Sequence, residues 1–144
     1  MQINEYRVML VKDRTHKYES VQVTSPDMVE DILRAMGADR EIQESMYVFY
    51  LNTKNKIMGV ERVAKGGMSS AMIDPKSIFR GALLSGARGI IIAHNHPSGS
   101  SIESSDDIRT TRKIKEGGEI LGIALLDSVI IGDGFTSLKG KGII

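Results

Sequence analysis

The sequence predicts an α/β domain in which helices flank a mixed β-sheet. Three observations lead to this fold class. Pairs of strand-like segments are interspersed with segments of helical periodicity, which favours a layered domain. The apolar run GIIIAH (89–94) is short enough to be a buried central strand. The chain has 144 residues, of which 41% are hydrophobic and 26% charged, as expected for one globular domain spanning 1–144.

The first 43 residues are predicted to form two strands and a helix. EYRVMLV (5–11) and YESVQV (18–23) alternate as strands do, and the polar segment KDRTHK between them suits a turn. A helix should follow, because Ser25 suits an N-cap and Pro26 the first helical position. Gly37 is expected to end it. The apolar face of this helix is formed by Val29, Ile32, Leu33 and Met36.

The middle of the chain is predicted to form a hairpin and a second helix. SMYVFYLN (45–52) is a strong strand pattern, NTKN provides its turn, and KIMGVERVA (56–64) is the returning strand. The segment KGGMSSA (65–71) is expected to be a mobile surface loop. Asp74-Pro75 begins a helix that should run towards Gly86.

The last third of the chain is predicted to hold the buried strand 89–94, a helix and a closing hairpin. The helix should extend from about Ser104 to Gly117 or slightly beyond. The closing strands are IALLDSVII (123–131) and FTSL (135–138), joined by the turn Gly132-Asp133-Gly134.

Composition excludes several classes of function. The chain has no cysteine, so disulfides and a thiol nucleophile are excluded. No apolar run is long enough to span a bilayer, and the N-terminus lacks the pattern of a signal peptide, so a cytoplasmic location is expected. The net charge of +1 and the aromatic content of 5% give no general attraction to nucleic acid and no base-stacking platform.

The histidines of HNHPSGSSIESSDD (94–107) form a candidate metal site. In extended backbone, residues at i and i+2 point to the same side, so His94 and His96 can converge while Asn95 points away. A catalytic zinc takes three protein ligands and leaves one position open for water. Asp107, expected in the first turn of the following helix, is the natural third ligand.

Each half of this motif also has a simpler interpretation. Histidines in loops often only face solvent, and Ser104-x-x-Asp107 matches a capping box at a helix start. The two interpretations are compatible, because an aspartate in the first turn can favour the helix dipole and still present a carboxylate to a metal. A strand-end HxH, a short loop and a helix-start aspartate together are more specific than either part.

A zinc hydrolase also needs a general base close to the site, normally another carboxylate. Spacing alone does not choose among Glu30, Glu41, Glu44, Glu61 and Glu103. Glu44 immediately precedes the strand 45–52, and strand pairing can bring it to the metal. The alternative for Glu44 is a solvated charge at the end of a helix.

These residues resemble the RadC-like branch of the JAMM (JAB/MPN-type) metalloproteases. The family pattern is an upstream glutamate, then H-x-H, seven residues, serine, two residues and aspartate. Here seven residues (97–103) separate His96 from Ser104, and two separate Ser104 from Asp107. The resemblance extends from about Glu44 to the C-terminus. It implies the layered architecture of JAB/MPN and cytidine-deaminase-like domains.

The resemblance also implies a mechanism. His94, His96 and Asp107 would bind Zn²⁺, Glu44 would be the general base and proton shuttle, and Ser104 would stabilise the oxyanion. The implied function is peptidase or isopeptidase hydrolysis of an amide bond in a peptide or protein conjugate. The alternative, implied by the family name, is an accessory protein of DNA repair or of mobile elements that acts on or near DNA.

Two features depart from the family pattern. The first 43 residues are predicted as strands and a helix rather than the family's usual helix-hairpin-helix module, which removes its most obvious DNA-binding element. Glu103 stands where proline usually precedes the motif serine, and simple surface exposure is expected for it.

A homo-oligomer is compatible with the sequence. Four basic residues after the motif are expected to form a solvated helix face, namely Arg109, Arg112, Lys113 and Lys115.

Overall fold

A computed structural model describes residues 1–18, 22–66 and 73–144. Three α-helices and five strands are present in these ranges, together with a 3-10 helix at Ala38–Arg40. The helices are α1 (Pro26–Ala35), α2 (Pro75–Ser85) and α3 (Ser105–Leu121). The strands are β1 (Ser45–Leu51), β2 (Ile57–Lys65), β3 (Gly89–Asn95), β4 (Ala124–Ile131) and β5 (Phe135–Ser137). The predicted fold class is confirmed.

The five strands form one mixed sheet in the order β2-β1-β3-β4-β5. Strand β1 is antiparallel to both β2 and β3, whereas β3 and β4 are parallel and are connected through α3. Strands β1 and β3 are buried along their whole length, as expected for the centre of a sheet with both faces covered. The predicted apolar run 89–94 is therefore the central strand.

Each face of the sheet has its own apolar core. On one face, residues of α2 and α3 such as Ile78 and Ile114 pack with Val48 and Ile92. On the other face, residues of α1 such as Leu33 pack against β1, β3 and β4. Because side chains alternate along a strand, successive residues of β3 point to opposite layers. This alternation separates the surroundings of His94 from those of Asn95.

The helices begin and end close to their predicted positions. Asp74 caps α2 by accepting a hydrogen bond from the Lys76 amide, and Gly86 ends it with a left-handed backbone. Ser25 lies at the N-cap of α1 as predicted, but its side chain makes no capping hydrogen bond. In the described part of the chain, no helix combines the length and apolar character that crossing a membrane requires.

The predicted strand 5–11 is wrong. Residues 1–17 have no regular secondary structure, and the apolar side chains in this segment are exposed. Alternation alone does not form a strand, which also needs a partner for its backbone hydrogen bonds. In the predicted strand 18–23, residues 19–21 lie outside the described residues, and Gln22 makes an isolated antiparallel bridge to Lys56. Most of the predicted loop 65–71 also lies outside them.

Candidate metal centre

The site lies at the edge of the sheet where β3 ends and β1 begins. The antiparallel register pairs Met46 with His94, so Glu44, two positions before Met46, lies beside the end of β3. His96 follows directly after β3, and its amide donates to the Ile131 carbonyl at the end of β4. The fold thus brings the upstream glutamate and both histidines to one edge.

Helix α3 supplies the fourth member of the cluster. One ligand atom from each of Glu44, His94, His96 and Asp107 can be chosen so that all four lie within 4.8 Å of one another. The Nε2 atoms of His94 and His96 are 3.1 Å apart. Asp107 Oδ1 lies 3.0 Å from His94 Nε2, and Asp107 Oδ2 lies 3.3 Å from His96 Nε2. Glu44 Oε1 is slightly further away, 3.9 Å and 3.6 Å from the two imidazole nitrogens.

These distances fit a tetrahedral zinc ion. Zinc bonds of about 2.0–2.1 Å in a tetrahedron separate the ligand atoms by roughly 3.3 Å. The separations among His94, His96 and Asp107 are all close to that value. Two imidazole nitrogens and one carboxylate oxygen are also the ligand types found in hydrolytic zinc sites. The three residues can therefore hold zinc and leave one position facing Glu44.

The imidazole of His96 is oriented by a backbone carbonyl. Its Nδ1 lies 2.7 Å from the Ser100 carbonyl, which can only accept, so Nδ1 carries a proton and Nε2, once it has lost its own proton, can bind a metal. His94 differs, because its buried Nδ1 has no hydrogen-bond partner among the described residues. The buried His94 ring makes its polar contacts through Nε2, which lies 3.0 Å from Asp107 Oδ1. The Ser100 contact was not predicted from the sequence, since any residue provides a carbonyl.

The charges of the metal-free cluster shift two pKa values in opposite directions. Burial alone would raise the pKa of Asp107, but hydrogen bonds from His94 and His96 outweigh it and hold this pKa well below its usual range. The pKa of His96 is raised, mainly by its hydrogen bond with Asp107, although burial opposes the shift. Asp107 therefore stays ionised and ready to bind a cation.

Ser104 and Asp107 also form the predicted capping box. Asp107 N donates to Ser104 Oγ at 3.1 Å, and Ser104 N donates to Asp107 Oδ2 at 2.8 Å. The two interpretations of this motif are thus compatible in the structure. Because Ser104 Oγ only accepts in this contact, its hydroxyl proton is still available to another acceptor.

Among the five candidate glutamates, only Glu44 joins the cluster. Each of the other four is paired with a basic side chain elsewhere: Glu30 with Arg34, Glu41 with Arg62, Glu61 with Arg80, and Glu103 with Lys141. The alternative for Glu44, a charge at a helix end, is wrong because the preceding 3-10 helix ends at Arg40. Of the five glutamates, Glu44 is the one that the pairing of β1 with β3 places beside the histidines.

Glu103 is not the simply exposed residue that was expected. Its carboxylate lies 2.6 Å from Lys141 Nζ, and its side chain is only 16% exposed. The hydrogen bond from Lys141 lowers the pKa of Glu103. This ion pair ties the C-terminal segment to the residue that precedes Ser104. Lys141 was missed because nothing local in its sequence signals a contact 38 positions away.

The basic residues of α3 lie on its outer face. Arg109, Arg112, Lys113 and Lys115 are all exposed, whereas the intervening Thr111 and Ile114 are buried. This is the expected solvated helix face. Acidic side chains are interspersed with the basic ones, notably Asp106, which pairs with Arg109.

Zinc affinity is expected to fall as the pH falls through the raised pKa of His96, which lies above the ordinary 6.5. Zinc binds only the neutral imidazole, so protons compete for this nitrogen. In the metal-free protein, the effect of His96 on the stability of the fold has the opposite dependence on pH. A raised folded-state pKa stabilises the fold below the unfolded-state value, and that stabilisation is lost as the pH rises. The stabilisation by zinc should thus grow with pH.

Calorimetric zinc titrations between about pH 5 and 8 would measure this dependence. His16→Ala is the control, because His16 lies in the exposed N-terminal segment and should leave the curve unchanged. A zinc affinity that does not vary over this range would contradict the expected proton competition.

Gly132→Ala is expected to weaken zinc binding roughly tenfold and to destabilise the fold by about 1–3 kcal/mol. A Cβ at Gly132 would overlap the Gly99 carbonyl, to which the Asp133 amide donates at 2.7 Å. Moving this loop would displace the neighbouring Ser100 carbonyl that orients His96. Zinc titration and urea unfolding would measure the two effects.

Gly134→Ala is the matched control for that substitution. The nearest atom to a Cβ at Gly134 is Ser101 Oγ, 4.0 Å away, so the additional methyl group fits. Equal zinc affinity of the two variants would show that the Gly132 loop does not support the site.

The sheet, the helix that follows β3 and the four-residue cluster define a JAB-type α/β domain with a candidate metal centre. A family model described as the RadC-like JAB domain matches residues 23–143. The chain therefore belongs to the RadC-like JAB domain family.

Bacterial relatives named UPF0758 proteins are similar to this chain. One from Clostridium botulinum (strain Alaska E43 / Type E3) is 43% identical over 127 residues, which is 86% of this chain and 54% of the relative. Another, from Clostridium botulinum (strain Eklund 17B / Type B), is 50% identical over the same length. One from Staphylococcus haemolyticus is 42% identical over 115 residues, 80% of this chain and 50% of the relative. The chain spans about half the length of these relatives.

Proposed function

We propose that this protein is a zinc-dependent metallohydrolase that cleaves an amide bond of the peptide or isopeptide type. One observation carries the proposal, namely that a second carboxylate, that of Glu44, lies beside a three-residue set suited to zinc. His94, His96 and Asp107 suffice as ligands, and Glu44 lies 3.6 Å from His96 Nε2 without being needed as one. A carboxylate in that position suits a general base.

Zinc, when bound, polarises a carbonyl group and lowers the pKa of water from 15.7 to about 7. Glu44 would accept a proton from the attacking water and deliver it to the leaving amine. Its side chain is 29% exposed, more than that of any other member of the cluster, so substrate can reach it. His94 and Asp107 are more deeply buried, as befits residues that fix a metal rather than meet a substrate.

Ser104 would stabilise the oxygen on which negative charge develops during hydrolysis. Its Oγ accepts the Asp107 amide and so has a fixed position, while its proton remains available for donation. Removing one such donor typically lowers the rate by about a hundredfold or more. The capping box would thus orient a catalytic hydroxyl as well as begin the helix.

A polypeptide substrate is favoured by exposed apolar side chains close in sequence to these residues. Ile42 is 92% exposed and lies two positions before Glu44, and Ile102 is 69% exposed and lies two positions before Ser104. In this proposal, the two isoleucines are the apolar side chains that an extended chain or a protein conjugate would contact beside the site.

Purified protein is expected to contain about one zinc per chain. Metal analysis after growth in zinc-replete medium tests the site, and finding no zinc would count heavily against the proposal.

The reaction is tested by a pull-down with Glu44→Gln, which should retain bound substrates that wild-type protein releases. Captured proteins that wild-type enzyme fails to cleave would argue for binding without hydrolysis.

A further inference from the structure

Asn95, the residue between the two histidines, holds both peptide groups that flank Glu44. Its Oδ1 accepts a hydrogen bond from the Ser45 amide at 2.7 Å. Its Nδ2 donates to the Gln43 carbonyl at 3.1 Å. Asn95 is only 3% exposed, and its contact with the Ser45 amide is buried, whereas its contact with the Gln43 carbonyl is partly buried. A side chain on the metal-binding strand therefore fixes the backbone on either side of Glu44.

These contacts continue the sheet where regular pairing stops. The register between β1 and β3 ends at the pair Met46 and His94. Beyond that pair, the side-chain amide of Asn95 takes the place of a backbone ladder and bonds the segment that carries Glu44. On the other side, the Glu44 carbonyl accepts the Gly66 amide at 2.6 Å. Glu44 is thus held between two segments of chain.

Only an amide side chain of this length meets both requirements. The Ser45 amide needs an acceptor and the Gln43 carbonyl needs a donor, which also fixes the orientation of the Asn95 amide. Aspartate has no donor at neutral pH, and alanine has neither group. Because side chains alternate along β3, Asn95 points away from the cluster that His94 enters, so it is not itself a ligand.

We propose that Asn95 is a positioning residue that aims the Glu44 carboxylate at the metal centre. The inference rests on the proposed function for the importance of Glu44, but the contacts do not depend on it. The HNH tripeptide then has two functions. Its histidines bind the metal on one face of the strand, and its asparagine orients the base from the other face. Metal and base keep a constant separation because one strand holds both.

A double-mutant cycle on zinc affinity tests this coupling. The variants are Asn95→Ala, Glu44→Gln and their combination, titrated with zinc alone. Asn95→Ala should weaken zinc binding roughly tenfold in the wild-type background, because the negative charge of Glu44 moves away from the metal. In the Glu44→Gln background the same change should alter affinity by less than about twofold. No effect in the wild-type background, or an equal effect in both backgrounds, would overturn the proposal.

Ser128→Ala is the control for a merely structural loss. Ser128 is similarly buried, lies on β4 opposite Ile92, and accepts a hydrogen bond from Thr111 Oγ1 at 3.0 Å. The substitution Ser128→Ala should lower the stability of the fold, and its effect on zinc affinity should be the same with and without Glu44→Gln. If Asn95→Ala does not fold, Asn95→Ser provides a smaller polar side chain for the same cycle. Faster exchange of the Ser45 amide in the Asn95 variants, but not in Ser128→Ala, is also expected.

The cycle separates this inference from the proposed function. Zinc titration requires no substrate, so coupling between Asn95 and Glu44 supports the positioning role even if no amide bond is cleaved. Conversely, hydrolysis by a protein in which the two residues are uncoupled would support the enzyme and exclude this role for Asn95.

Discussion

Glu44→Gln is expected to lower the rate of amide hydrolysis by about 10²–10⁴-fold while the protein still binds one zinc per chain. Glutamine has nearly the same shape as glutamate, but its amide cannot accept a proton at neutral pH. The substitution leaves His94, His96 and Asp107 unchanged, and their mutual distances are those of three ligands of a tetrahedral zinc ion. Steady-state kinetics with a captured substrate, together with metal analysis, would measure both quantities.

Glu41→Gln is the matched control for Glu44→Gln. Glu41 lies three positions earlier and accepts hydrogen bonds from Tyr47 and Arg62, outside the cluster. Its substitution should change stability slightly and leave the rate near that of wild type. If Glu44→Gln and Glu41→Gln hydrolyse the substrate equally fast, Glu44 is not the base.

The elements were predictable from sequence wherever local chemistry determines them. Asp74 with Pro75, and Ser104 with Asp107, mark helix starts through their own hydrogen bonds and backbone preferences. The run of isoleucines in β3 indicates a strand buried on both faces. In each case the signal and the structure it predicts lie within a few residues of each other.

The failures concern partners that are distant in sequence. EYRVMLV has a strand pattern, yet a strand forms only beside another strand, and residues 5–11 have none among the described residues. The contact between Glu103 and Lys141 joins positions that no local pattern connects. Local patterns measure propensity, whereas these outcomes depend on which segments the fold brings together.

The choice of Glu44 shows the same limit within the site. Its four rivals are equally acidic, but the fold places each of them outside the cluster and beside a basic residue. The register of β1 against β3 moves Glu44 to the end of β3, and a shift by one residue would send the opposite set of side chains to that face. The family resemblance implies Glu44 as the glutamate upstream of H-x-H but does not give this register.

Asp107→Asn is expected to weaken zinc binding by at least about a hundredfold, more than the loss of an outer-shell partner typically causes. Asp107 is the only acidic ligand in the three-residue set, and its depressed pKa keeps it ionised throughout the neutral range. Asparagine removes the charge but keeps an oxygen that can accept the Ser104 amide, so the start of α3 should persist. The variant thus separates metal binding from helix capping.

Asp106→Asn is the matched control, because Asp106 occupies the same helical turn, pairs with Arg109 and is not a member of the four-residue cluster. In a hundredfold excess of zinc over the wild-type Kd, zinc should raise the free energy of unfolding by about 2.7 kcal/mol for wild type and for Asp106→Asn. Asp107→Asn at the same zinc concentration should gain less than about 0.5 kcal/mol, since its Kd is then at or above that concentration. Urea unfolding with and without a chelator measures these differences. If zinc stabilises both variants equally, Asp107 is not a zinc ligand. The start of α3 beside the end of β3 would then have no role in binding the metal.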